Sequence, residues 1–323
     1  GWGSLGELPA FRTEVAVEKP RTIITKNDSP DISFDRSINP YRGCEHGCVY
    51  CFARPSHAYL GLSPGLDFES KLTADAALLL EKELSAPSYQ PRTIAIGTNT
   101  DAYQPIEKKL RIMRQILEVL ARFNHPVGIV TKSALVQRDI DILAPMAAKG
   151  LAKVAISITT LDPKVARGME PRAASPAKRL ETVKRLSDAG IPVTVLVAPI
   201  IPAINEHEIE RILDAAAHAG VKEASYVLLR LPLEVSPLFR DWLLQNYPDR
   251  YRHVMSLVRS MRDGKDYDAE FGKRMKGAGP YAWQIQRRFQ MACKRLGLDQ
   301  QRLPLRDDLF VPPAGTGVQL SLL

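Results

Sequence analysis

Along the middle of this chain, short apolar runs alternate with longer segments that carry an apolar stripe. The short runs are RTIAIGT (92–98), PVGIVTK (126–132), AKVAISITT (152–160), IPVTVLVAPII (191–201) and VKEASYVLLRL (221–231). Nearly continuous apolar runs of this length, rich in Val and Ile, read as strands buried on both faces. The first longer segment, PIEKKLRIMRQILEVLARF (105–123), predicts a helix with Leu110, Met113, Leu117 and Leu120 on one stripe. VQRDIDILAPMAAKG (136–150) predicts another. SPAKRLETVKRLSDAG (175–190) predicts a third, with Ser175 as N-cap, Pro176 at its first position and Gly190 beyond its end. NEHEIERILDAAAHAG (205–220) predicts a fourth, opened by Asn205 and Glu208 as a variant capping box. Upstream, DISFDRSI (31–38) supplies a sixth strand.

Strands separated mostly by helices predict an α/β fold with a parallel sheet and right-handed crossovers, either doubly wound or a partial barrel. In both, chemistry belongs at the C-terminal ends of the strands. The segments that would meet there are a cysteine-bearing loop after residue 38, GTNTDAYQP (97–105), TKS (131–133) and SITTLD (157–162). After residue 231 the pattern turns helical. Residues 237–265 predict two helices divided at Pro248. Residues 272–298 predict one more, with Ile285, Phe289, Ala292 and Leu296 buried and Arg287, Arg288, Lys294 and Arg295 mostly off that stripe. The expected division is an N-terminal extension (1–30), a core (31–231), a helical cap (232–310) and a flexible tail (311–323).

Composition narrows the class. With 45% hydrophobic and 25% charged residues, the chain reads as a soluble globular protein. No apolar run approaches the ~20 residues of a membrane span. The first twenty residues lack the apolar region of a signal peptide, and Gly1 in place of Met points to a trimmed start. The net charge of +8 is uneven: residues 230–323 carry 16 Lys and Arg against 10 Asp and Glu. Such a surplus suits either contact with nucleic acid or a solvated basic face. The four cysteines do not form a disulfide pattern, so a reducing, cytoplasmic location is expected.

Three of those cysteines, Cys44, Cys48 and Cys51, share the stretch NPYRGCEHGCVYCFAR (39–54) in C-x3-C-x2-C spacing. A zinc site would need a fourth ligand from Cys293, His46 or His57. Alternatively, three thiolates hold three irons of a [4Fe-4S] cluster and leave the fourth iron open. Gly43 and Gly47 give the loop the freedom a tight wrap needs. The fourth cysteine, Cys293, falls in a predicted helix, where a small buried apolar role suits it.

This spacing, with Tyr50 before the last cysteine, resembles the signature of the radical S-adenosylmethionine (SAM) superfamily. The resemblance covers about residues 31–231 and implies a partial (β/α)6 barrel with a mainly helical C-terminal extension. It also implies a [4Fe-4S] cluster on Cys44, Cys48 and Cys51, whose open iron binds SAM. An electron donor such as flavodoxin or ferredoxin would drive SAM cleavage to a 5'-deoxyadenosyl radical. Tyr50, Thr98, Thr100, Asp101, Lys132, Ser157 and Thr159 become the implied cofactor-binding residues. The 98–101 stretch would grip the SAM amino group, Lys132 its carboxylate, and Ser157 and Thr159 the ribose. Residues 199–202 would border the adenine, and Arg230 would face the substrate. Local readings stand beside these: TNTD as turn chemistry, Lys132 as a snorkelling strand-end lysine, Arg230 as a rim ion pair.

Within the superfamily, SPDISFDRSINPYRGCEHGCVYCFARPSHAYLGLSPGLDFESKL (29–72) resembles the branch related to spore photoproduct lyase. Lyases of that branch carry a thiol in a CTSD-like segment, where this chain has Thr98, and a second tyrosine where it has Phe52. The expected activity is a radical SAM reaction on DNA or RNA, in repair or base modification. The alternatives are radical SAM modification of a peptide or small molecule, and a non-catalytic iron-sulfur or zinc protein. The final QLSLL, Gln319 to Leu323, resembles the peptide by which bacterial repair proteins bind the sliding clamp.

Overall fold

In the computed structural model, which describes residues 14–59, 69–73, 75–299 and 304–312, the apolar runs are strands of one sheet. The strands are β1 (Glu14–Glu18), β2 (Ile24–Lys26), β3 (Arg36–Ile38), β4 (Tyr41–Arg42), β5 (Glu69–Thr73), β6 (Ile94–Ile96), β7 (Val127–Thr131), β8 (Ala152–Ser157), β9 (Val193–Ile200) and β10 (Glu223–Leu228). Seven of them form a sheet in the order β10-β9-β8-β7-β6-β3-β2. Its pairs are parallel except β2, which runs antiparallel to β3. The parallel strands follow sequence order without reversal. Right-handed crossovers then send every helix to one face, which curls the sheet into a partial barrel; a doubly wound sheet would reverse.

The helices are α1 (Arg54–Tyr59), α2 (Ala76–Leu84), α3 (Glu107–Leu110), α4 (Ile112–Arg122), α5 (Ile140–Ala148), α6 (Pro163–Met169), α7 (Pro176–Asp188), α8 (Ile209–His218), α9 (Val235–Asn246), α10 (Tyr251–Ser260) and α11 (Gly279–Leu296). On the outer layer, α2 packs on α4, α4 on α5, α7 on α8 and α8 on α11. The main core joins Ile94, Ile129, Val154 and Val195 of the sheet to Leu117, Leu186 and Leu213 of the helices. Each such aliphatic side chain stabilises the fold by about 1.5–3 kcal/mol. A second core joins Cys48 and Tyr50 of the cysteine loop to Phe239 and Leu243 of α9 and to Val254 and Val258 of α10. The helical C-terminal region is thus packed directly against the cysteine loop.

Three local expectations are corrected. The predicted helix 105–123 breaks at Arg111, which adopts a left-handed φ of 54°. Glu107 is buried and accepts from Tyr41 Oη and Arg138, which ties the first turn to the cysteine-loop side. The 136–150 helix starts as a 3-10 turn at Ala134–Asp139, capped by Ser133, because buried Asp139 is held by Tyr103, Arg114 and Arg138. Asn205 and Glu208 form no capping box. Asn205 accepts from Ile201 N (2.6 Å) and donates to Thr159 O (2.7 Å), and Glu208 accepts from Thr160 Oγ1. Both side chains brace strand-end loops instead. Ser175 does cap α7, accepting from Lys178 N at 3.4 Å. A small sheet in the order β1-β5-β4 was not predicted. The clamp-like stretch 319–323 lies outside the described residues.

Candidate functional site

The cysteine loop leaves β4 and is shaped by Gly43 (φ 93°) and Gly47 (φ 66°), conformations that disfavour a side chain. It is fastened from three sides. Gln104, fully buried, accepts from Glu45 N (2.9 Å) and donates to Gly43 O (3.1 Å). Arg54 Nη2 donates to Cys48 O at 3.0 Å. The segment after α6 docks on the loop through Val49 N to Met169 O (3.0 Å), Arg172 N to His46 O (3.3 Å) and Arg172 Nε to Glu45 O. Burial pushes the Cys44 thiol up to about 12 and Cys48 well above its ordinary value. The other two cysteines add to the shift of Cys48. Such thiols become thiolates at neutral pH only against bound positive charge.

Next to the loop is a buried ion pair that the sequence reading missed. Glu170 accepts from Tyr50 Oη and pairs with Arg179 Nη2, both partners being almost fully buried. Thr159 Oγ1 lies 2.7 Å from Glu170 Oε1 and 3.0 Å from Ala198 O. Arg179 spends its other donors on Ser157 O (2.9 Å) and Ala174 O (2.8 Å). Burial raises the Glu170 carboxyl while the Arg179 guanidinium opposes the rise. Tyr50 is therefore held at its hydroxyl, and Thr159 faces the brace.

The 97–101 turn divides in two. Gly97 has φ 86°, and a Cβ there would lie 2.0 Å from Val130 O, so only glycine lets the turn cross β7 so closely. Thr98 and Asn99 are half-buried and make no side-chain hydrogen bond among the described residues. Thr100 is buried and donates to Tyr41 O at 2.7 Å. Asp101 accepts from Tyr103 N (2.9 Å), Thr131 Oγ1 (2.7 Å) and Lys132 N (2.8 Å), with His46 Nδ1 at 3.4 Å. Four partners occupy the lone pairs a carboxylate offers. Thr100 and Asp101 thus serve as straps, while Thr98 and Asn99 keep their side-chain polar groups uncommitted among the described residues. Burial brings the His46 imidazole down to about 4, against the pull of the neighbouring Asp101 carboxylate.

Lys132 reaches from the end of β7 to Ser157 Oγ at 3.3 Å, with Nζ 5.7 Å from the Tyr50 ring centroid. Ser157 in turn donates to Ala198 O at 2.9 Å. Arg230, at the end of β10, lies over Phe52 with its guanidinium carbon 4.5 Å from the ring centroid. It carries no ion pair among the described residues, although the charge of Asp31 acts on it. Arg288 on α11, by contrast, is ion-paired with Glu210 at 2.7 Å.

A model described as the radical SAM superfamily matches residues 38–216, from β3 into α8. The chain belongs to the radical SAM superfamily. An uncharacterised protein of Mycobacterium tuberculosis is 35% identical over 69% of this chain and 68% of its own. An uncharacterised protein of Methanocaldococcus jannaschii is 28% identical over 67% and 78%. A structure of spore photoproduct lyase complexed with dinucleoside spore photoproduct matches with a TM-score of 0.63 at 18% identity, covering 87% of this chain and 79% of that one. A lyase variant with bound AdoMet and the dinucleoside matches with a TM-score of 0.60 at 16% identity, over 91% and 86%. These likenesses establish the radical SAM barrel and its helical C-terminal region, and the protein is a radical SAM enzyme.

The residues present fit the cofactors this family implies. Three thiols come from one loop, and His46 between them has its Nδ1 3.4 Å from Asp101 Oδ2. Cys293, on α11, belongs to the main core, not to the core that contains Cys48 and Cys51. Among the described residues, no three His, Cys, Asp or Glu side chains converge as a single metal ion requires. Thiols spread over separate irons do not need to converge in that way. No helix among the described residues is long and apolar enough to cross a membrane.

Proposed function

We propose that the protein binds a [4Fe-4S] cluster through Cys44, Cys48 and Cys51, binds SAM beside it, and acts on nucleic acid. The observation that carries the reading is the three-thiol loop at the C-terminal edge of a parallel barrel, with Lys132 presenting spare donors next to it. When bound, the cluster and SAM together supply a 5'-deoxyadenosyl radical. The chain's own residues do the positioning. Ser157 takes one of the three Lys132 donors, which leaves two for the SAM carboxylate. Thr98 and Asn99, uncommitted within the fold, suit the amino group. Glu170 fixes Tyr50, the residue before Cys51. Helices α9 and α10 bury the back of the loop and exclude water from that side. The nucleic-acid part of the reading rests on the basic surplus of residues 230–323 and on arginines at the mouth without carboxylate partners.

The test is anaerobic reconstitution with iron and sulfide. Absorption near ~400 nm and 5'-deoxyadenosine formation with SAM and reductant are expected. Changing any of Cys44, Cys48 or Cys51 to Ala should abolish both, while Cys293→Ala should keep its iron. Loss of iron from the Cys293 variant would refute the three-ligand site.

A further inference from the structure

The cap side of the barrel mouth holds more arginine charge than its carboxylates neutralise. Arg230 stands at the edge of the cysteine loop. Its Nη2 donates to Tyr267 Oη (3.2 Å), its Nη1 meets Met275 Sδ (3.6 Å), and its buried Nε has no hydrogen-bond partner among the described residues. One face covers Phe52, which is 41% exposed and follows Cys51 directly. Behind it, Arg262 is buried and gives its donors to the carbonyls of Lys273 and Leu229, not to a carboxylate. Of the carboxylates on this side, Asp31 pairs with Arg274 (2.5 Å) while its charge also acts on Arg230, and Asp268 accepts from Glu270 N (2.9 Å). Glu234, at the start of α9, has a buried Oε2 with no hydrogen-bond partner among the described residues.

Tyr267, which holds Arg230, adjoins Asp266 in the chain. Asp266 pairs with Arg259 (2.7 Å) and Arg240 (3.5 Å) at a cavity of about 330 Å³ between α9 and α10. Arg252, Tyr251 and Ser256 also line that cavity. Arg252 is exposed and has no ion-pair or hydrogen-bond partner among the described residues. Asp266 is the one carboxylate ion-paired there among the described residues, and Asp241 adds its charge beside Arg240, against the three arginines. The two cationic points, Arg230 and the cavity, are joined by adjacent residues and interleaved with the rings of Phe52, Tyr267 and Tyr251. Spaced cations with aromatic faces between them match a chain of phosphates with planar bases between them. By contrast, α11 has its central arginine neutralised by Glu210 and lies against α8 on the outer layer.

We infer that a nucleic-acid strand is received across α9 and α10, one phosphodiester at Arg230 and a neighbouring stretch at the Arg240–Arg252–Arg259 cavity, so that a base enters the barrel mouth beside Phe52. This rests on the nucleic-acid reading above and gives that reading a path. The base is presented from a single strand or flipped from a duplex, since a stacked base cannot reach into the barrel.

The experiment is fluorescence anisotropy of the cluster-loaded protein with a labelled oligothymidylate and its RNA counterpart across a salt series, with polyglutamate of equal charge as competitor. Arg252→Ala and Arg230→Gln should each weaken binding about 3- to 10-fold at low salt and lower the salt slope by about 0.7, the loss of one phosphate contact to a single strand. Arg230→Lys should restore most of the slope. Arg252 supports nothing in the fold, so its variant separates binding from stability. Neutralising Arg287, Lys294 and Arg295 together should leave the slope unchanged. Wild-type slopes in both the Arg230 and Arg252 variants would overturn the path but leave the nucleic-acid reading standing. Absence of oligonucleotide binding at low salt, or displacement by polyglutamate as effective as by oligonucleotide, would overturn both. Tighter binding of one of the two oligonucleotides would support the path and name DNA or RNA as its occupant.

Discussion

Glu170 is the residue whose removal should do the most damage for the least apparent reason, since it contacts no implied cofactor. It is fully buried and joins Tyr50, Thr159 and Arg179 at one carboxylate. Glu170→Ala leaves the Arg179 guanidinium buried without a counter-charge, which costs about 3–5 kcal/mol. It also leaves the Tyr50 hydroxyl unpaired, at about 1–3 kcal/mol less whatever relaxation recovers. Replacing both charges, as Glu170→Leu with Arg179→Met, removes the uncompensated charge and should recover most of the stability. It cannot restore the Tyr50 anchor, so the cysteine loop should remain loose. The assay is urea unfolding of the anaerobic apo-protein, followed by iron content and the electron paramagnetic resonance spectrum after reconstitution. The single variant should unfold far more easily than the double, and both should show a broadened or weakened cluster signal. A Glu170→Ala protein within about 1 kcal/mol of wild type would refute the brace, because a buried unpaired arginine cannot be that cheap.

Two further perturbations test separate parts of the structure. Lys132→Ala should weaken SAM binding about 10- to 100-fold, the loss of a charge-assisted hydrogen bond worth ~1.5–3 kcal/mol, and unchanged affinity in equilibrium binding would reject that role. His125 is buried between Tyr89 (2.7 Å) and Phe310, and burial brings its imidazole down to about 4 from 6.5. The unfolded chain takes up that proton first, so the stability is complete above pH ~6.5 and lost as pH falls through ~4, by up to about 3 kcal/mol. His125→Gln should show a smaller loss in urea unfolding between pH 7 and pH ~4.5; an unaltered acid slope would place the effect elsewhere, with His46 the next group to test.

The central parallel strands β6 to β9 were readable because no residue in them is exposed on either face, which imposes an apolar run on the sequence itself; β3 (RSI) carries no such run and β10 is mostly half-buried. β2 and β1 were not readable: Ile24–Lys26 is mostly exposed and Val17 is 60% exposed, so neither leaves an apolar signature. The cysteines were readable because a cluster loop is local and its spacing is written in eight consecutive residues. The brace was not, since Glu170 lies 120 residues from Tyr50, and Gln104 lies 59 from Glu45. No short pattern encodes such pairings. The TNTD stretch shows the intermediate case. Its residue types announced a polar turn at a strand end, but which hydroxyl faces inward depends on Tyr41 and Thr131, supplied by other parts of the chain.

That division inside TNTD bears on what the enzyme can do with a thymine lesion. Dimer reversal in the lyase-related branch ends with a thiol returning a hydrogen atom, and the position of that thiol corresponds to Thr98. An alcohol O–H is a far poorer hydrogen-atom donor than a thiol S–H. The chain has four cysteines; three are the proposed cluster ligands, and Cys293 is buried within α11 with its thiol pushed up to about 11. Phe52 lacks the hydroxyl of a relay tyrosine, and its ring is covered by Arg230 on one face. Reduced, cluster-loaded protein given SAM and DNA bearing the spore photoproduct should therefore yield 5'-deoxyadenosine without clean turnover to two thymines. Thr98→Cys should raise the yield of intact thymine, since Thr98 makes no hydrogen bond that the thiol would break. Phe52→Tyr alone should not, because a relay hydroxyl without a thiol has no hydrogen atom to pass on. Multiple turnovers by the unaltered protein would show that the hydrogen returns by another route, and the argument from Thr98 would then be lost.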